Sequence, residues 1–79
     1  MDKLRVNLML NENLRKGLIY HRKKNGLTQE QVSKLVDTRE EDVWGWEKGL
    51  TFPKAVMIYR LSKIYHVTVD QLIEGEYAS

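Results

Sequence analysis

Three times in 79 residues a threonine stands three places ahead of a glutamine or glutamate, at Thr28/Gln31, Thr38/Glu41 and Thr68/Gln71. A threonine hydroxyl at such a spacing takes up a backbone N–H while the later side chain reaches back, so each pair marks the start of a helix. The stops are equally plain. Asn25-Gly26, Gly49 and Gly75 offer the left-handed residue that closes a helix, and Asp37 breaks the chain ahead of Thr38. Signals this closely spaced allow only short helices joined by tight turns.

The apolar residues agree with that division. Leu14, Leu18 and Ile19 give a first helix a buried stripe from about Asn13 to Lys24. Val32, Leu35 and Val36 do the same for a second helix over about 29–36, and Val43 and Trp46 for a third over about 39–48. Pro53 suits the first position of a fourth helix, whose apolar face is Met57, Ile58, Leu61, Ile64 and Tyr65. Leu72 and Ile73 belong to a short fifth. The expected fold is therefore all-α, a compact five-helix domain over 13–75, preceded by an arm (1–12) and followed by a tail (76–79). In the arm, Leu4, Val6, Leu8 and Leu10 alternate with Lys3, Arg5, Asn7 and Met9, which favours a β-strand or extended arm. The spacing of Leu4 and Leu8, and of Val6 and Leu10, also fits a helix.

Composition excludes several functions. There is no cysteine, hence no disulfide, thiolate chemistry or cysteine-ligated zinc. His21 and His66 have no second ligand at metal spacing, and Ser33, Ser62 and Ser79 have no histidine placed to activate them. No glycine-rich phosphate loop is present. No metal, cofactor, small-molecule substrate or catalytic residue is expected. The first residues form neither a secretion signal nor a membrane anchor, so a cytoplasmic protein is expected.

Charge is unevenly placed. Residues 1–27 carry seven Lys/Arg against two acids, residues 28–49 three against six, and the remainder three of each. Arg15, Lys16, His21, Lys23 and Lys24 make the first helix basic, as a phosphate-binding surface requires or as a solvated face allows. The middle third is acidic.

The second and third helices, joined by a tight turn, have the helix-turn-helix arrangement. From Leu14 to Ile73 the sequence resembles the Cro/CI/Xre family of bacterial and phage transcription regulators. TQEQVSKL stands at the family's second helix, WEKG (Trp46–Gly49) at the end of its third, Pro53 at the opening of its fourth and VTVDQLI (Val67–Ile73) at its fifth. The resemblance implies that helix 3 enters the major groove of double-stranded DNA while the start of helix 2 and the loop after helix 3 grip phosphates. Base-facing positions then fall on Arg39, Glu40, Glu41, Trp44 and Gly45. Phosphate contacts fall on Thr28, Gln29, Lys48 and Lys54, and a buried ion pair on Arg22 and Glu47. A homodimer is implied too, since paired domains read half-sites about 34–36 Å apart. Its contact could come from residues 1–10, by strand pairing, or from the tail beginning at Glu74.

The sequence departs from the family where it matters most. Asp37 replaces the usual turn glycine, and Arg39 replaces a serine, which moves the cap of helix 3 back to Thr38. The run Glu40-Glu41-Asp42 brings three carboxylates toward phosphates, whose like charge opposes them. Trp44 places an aromatic at an outward, normally polar position. Two readings follow: a sequence-specific DNA-binding repressor, or a helix-turn-helix fold reused as an antirepressor or adaptor that binds protein through its acidic, Trp44-bearing third helix.

Overall fold

In the computed structural model, which describes residues 3–75, five helices follow one another: α1 (Lys3–Lys24), α2 (Gln29–Val36), α3 (Glu40–Lys48), α4 (Ala55–Tyr65) and α5 (Val69–Glu74). No strand occurs among the described residues. Two of the three expected capping boxes form. Thr28 Oγ1 accepts from the Gln31 N–H at 3.1 Å while Gln31 Oε1 accepts from the Thr28 N–H at 2.8 Å. Thr68 and Gln71 repeat the exchange at 3.0 and 2.9 Å.

At α3 the cap is built differently from expectation. Arg39, not Thr38, is the N-cap, and Asp42, not Glu41, reaches back: its Oδ2 accepts from the Arg39 N–H at 3.2 Å. Thr38 turns its hydroxyl to the same oxygen at 2.7 Å. The box keeps its three-residue span and sits one residue later along the chain. Asp37 closes α2 with φ 60° and ψ 61°, the left-handed conformation that the missing glycine demanded. The last carbonyl of α2, that of Val36, accepts from Arg60 Nη1 of α4 at 2.9 Å.

Three further expectations need correction. Residues 3–10 are not a strand or arm: α1 begins at Lys3, since both apolar periods fit this stretch and no glycine or proline stands between Lys3 and Gly17 to end a helix. Strand pairing of residues 3–10 is thereby removed as a dimer contact. The tail at 76–79 lies outside the described residues, as do residues 1 and 2. Pro53 does not open α4; Lys54 is the N-cap and Pro53 sits buried just before it. Leu35 is 56% exposed, because an eight-residue helix needs only Val32 and Val36 for its buried stripe.

The core takes residues from every helix: Leu14 and Leu18, Val32 and Val36, Val43 and Trp46, Ile58, Leu61 and Tyr65, and Leu72. Leu27, Met57, Ile64, Val67, Val69 and Ile73 flank it. His21 also turns inward, stacked on Tyr65 at 5.8 Å between ring centroids and edge-on to Tyr20 at 5.2 Å, so it is no part of an outward basic face. Burial pushes the Tyr65 hydroxyl's pKa up, and the Glu47 charge adds to that. Where α1 meets α5 the approach is close: a Cβ on Gly17 would lie 3.0 Å from the Leu72 carbonyl oxygen, tighter than an ordinary van der Waals contact.

Candidate nucleic-acid interface

The surface begins at the start of α2. Its capping box satisfies the N–H of Gln31, and the N–H groups of Gln29 and Glu30 stand at the positive end of the helix dipole. The side chain of Gln29 points elsewhere. Its Nε2 donates to Glu47 Oε1 at 3.1 Å. The same carboxylate accepts from Arg22 through Nε–Oε2 at 2.7 Å and Nη2–Oε1 at 3.0 Å, a two-pronged pair. Arg22 Nη1 donates to the Leu27 carbonyl at 3.0 Å. Glu47 is 6% exposed and Arg22 15%, and the hydrogen bonds that Arg22 donates to Glu47 raise its pKa further. One buried carboxylate thus joins α1, α2 and α3 and fixes the start of α2 beside α3.

Helix α3 turns Val43, Trp46 and Glu47 inward. The opposite stripe is Glu40, Trp44 and Lys48, spaced i, i+4, i+8, with Glu41 beside it, and all four are exposed. Trp44 is 46% exposed and with Gln29, Glu40 and Glu41 lines a shallow groove between the start of α2 and α3. Gly45 does not belong to this stripe. It is buried, and a Cβ there would lie 2.8 Å from Thr51 Oγ1. It therefore packs under the loop after α3 and cannot face a base.

Arg39 and Asp42 form a unit that the residue-by-residue reading passed over. Arg39 Nε donates to Asp42 Oδ2 at 3.3 Å and Nη2 to Oδ1 at 3.0 Å. The Arg39 and Thr38 hydrogen bonds together lower the Asp42 carboxyl to about 2. The signal was in the sequence, since arginine and aspartate three apart at a helix start are neighbours on one face. Of the three carboxylates that open α3, this one is hydrogen-bonded to its counter-charge, while Glu41 Oε1 stands 3.8 Å from Arg39 Nη1.

The expected phosphate contacts surround this face. Thr28, Lys48 and Lys54 are all exposed. Lys54 lies beside Arg39, Asp42 and Thr51 around a second depression. On α1, Lys16, Lys23 and Lys24 are exposed, whereas Arg15 is hydrogen-bonded to Glu12, whose pKa falls as a result. No three His, Asp or Glu side chains among the described residues are grouped to hold a metal ion. No described helix is long and apolar enough to cross a membrane.

Two relatives match part of the chain. The chain is 34% identical over 50 residues to the HTH-type transcriptional activator BcrR of Enterococcus faecalis, a match that covers 63% of this chain and 24% of that protein. It thus spans about a quarter of that relative's length. It is 31% identical over 51 residues to an uncharacterized HTH-type transcriptional regulator of Archaeoglobus fulgidus, covering 65% of this chain and 73% of the relative. No protein-family model and no solved structure matches the chain. With the helix pair α2–α3 held as described and nearly three quarters of a regulator of that type matched, the chain belongs to the helix-turn-helix transcriptional regulators.

Proposed function

We propose that this protein is a cytoplasmic, homodimeric repressor of the Cro/CI/Xre kind that binds double-stranded DNA with α3 in the major groove. The observation that carries the reading is the outward stripe Glu40–Trp44–Lys48, held beside the capped start of α2 by the Arg22–Glu47–Gln29 hydrogen bonds. In this pose the N–H groups of Gln29 and Glu30 meet a phosphate, with Thr28 adding its hydroxyl. Lys48 and Lys54 meet phosphates on the other side of the groove. Trp44 lies against a thymine methyl or a sugar. Glu40 and Glu41 accept from the exocyclic amine of cytosine, the one base-edge group in the major groove that suits a carboxylate acceptor at the C·G pair. Repression needs no more than occupancy of the site.

A second reading rests on the same helix. Exposed Trp44, flanked by Glu40 and Glu41, also fits a basic protein surface, where tryptophan is a favoured anchor. Binding of the chain to a random duplex library at rising salt separates the two. A groove binder loses affinity steeply with salt. Lys48→Ala then weakens all duplexes alike and flattens the log–log salt slope by about 1, while Glu41→Gln changes the selected sequence. Absence of duplex binding even at low salt would reverse the reading in favour of the protein partner.

A further inference from the structure

An exposed arginine at the head of a helix ordinarily samples many rotamers, and fixing it on a base forfeits that freedom. Arg39 is 72% exposed yet already held. Its inner edge, Nε and Nη2, lies against both oxygens of Asp42 at 3.3 and 3.0 Å. The carboxylate is held in turn, because its Oδ2 also accepts from the Thr38 hydroxyl at 2.7 Å and from the Arg39 N–H at 3.2 Å. Two side chains and a backbone group thus determine where the guanidinium plane points.

A guanidinium has five N–H donors in a rigid fork. Asp42 engages one on Nε and one on Nη2. The outer edge, from Nη1 to the second hydrogen of Nη2, still presents two parallel donors. Glu41 Oε1 stands 3.8 Å from Nη1, too far to hydrogen-bond but near enough to attract it. Two parallel donors match the N7 and O6 acceptors of guanine in the major groove. They mismatch adenine, which offers a donor where guanine has O6. Building on the DNA-binding reading above, we propose that Asp42 is a positioning residue that aims the outer edge of Arg39 at a guanine, so that this pair fixes one base of the target site. The acidic opening of α3 then has two roles. Glu40 and Glu41 face cytosine, and Asp42 turns along the surface to Arg39 and orients it.

The test is selection of duplexes from a random library by the intact chain, repeated with Arg39→Lys and Asp42→Asn. Arg39→Lys keeps the charge and removes the fork. Asp42→Asn keeps an acceptor for the Arg39 N–H but cannot engage both guanidinium donors. A thermal melt of each variant verifies that it is folded. The wild type is expected to select one guanine per half-site over other bases by about tenfold or more. Both variants reduce that preference to a few-fold, at this position alone. Asp42→Asn binds unrelated duplex at least as well as wild type, because one negative charge is gone. A guanine preference that survives in Asp42→Asn, or a selected site with no such guanine, overturns the proposal while leaving DNA binding intact. If the wild type enriches no duplex, the DNA-binding reading falls and takes the proposal with it.

Discussion

Asp42 illustrates how much a single side chain at the mouth of α3 determines. Its carboxyl titrates at about 2 instead of the ordinary 3.8, chiefly because Arg39 and then Thr38 hydrogen-bond to the ionised form. The folded chain therefore keeps it charged where the unfolded chain protonates it. The stability it lends is complete above about pH 4 and disappears as pH falls toward 2. In acid titrations of the melting temperature, the gap between wild type and Asp42→Asn should close over that window; a gap constant from pH 6 to 2 would contradict the assignment. Asp37 is the second telling residue. A left-handed aspartate at φ 60° carries a penalty that glycine avoids. Asp37→Gly should raise stability by about 0.5–1 kcal/mol, a few degrees in the melting midpoint, after the extra flexibility of glycine in the unfolded chain is deducted. Both effects are local. The need for a left-handed residue at position 37 was implied by the resemblance, whose family carries glycine in that turn, and aspartate is one of the few other residues that tolerates it. The identity of the α3 cap was not, because Thr38, Arg39, Glu41 and Asp42 compete for the same N–H groups and side-chain reach decides among them.

Among the helices, the buried carboxylate of Glu47 is the joint. It accepts two hydrogen bonds from Arg22 and one from Gln29, tying three elements together at one point. Glu47→Ala leaves a largely buried guanidinium without its counter-charge and should destabilise the fold by about 3–5 kcal/mol in urea denaturation. For a domain of this size that is a large part of the whole stability. Replacing both partners by apolar residues, Arg22→Met with Glu47→Leu, should recover most of the loss. Equal destabilisation in the single and double variants would mean that the pair matters only for its packing. The helices themselves were readable wherever the start and stop signals are local, as at Thr28/Gln31 and Gly49. Contacts distant in sequence escaped. Gly45 faces Thr51 across the turn after α3 and is lost to the interface, while Gly17 yields room to the Leu72 carbonyl of α5. In residues 3–10 strand and helix periods coexist, and no pattern within eight residues separates them; the helix continues through them into the body of α1.

At the scale of the whole molecule, the core fixes which face is left over. Leu14, Val32, Val36, Val43, Leu61 and Leu72 are all but sealed from solvent, and each comes from a stripe opposite an exposed one. Orientation of α3 follows from this. With Val43 and Trp46 committed to the core, Glu40, Trp44 and Lys48 must face out, next to the start of α2. The charge on that face is mixed: acidic at the leading turn, basic at Lys48 and Lys54. The most direct test is an amide NMR titration of the chain with its selected duplex. Binding through α3 should shift the amides of residues 28–30, 39–44 and 48–54, and should leave the exposed residues of α4 from Val56 to Lys63 unmoved. Shifts confined to α4, with α3 silent, would contradict it.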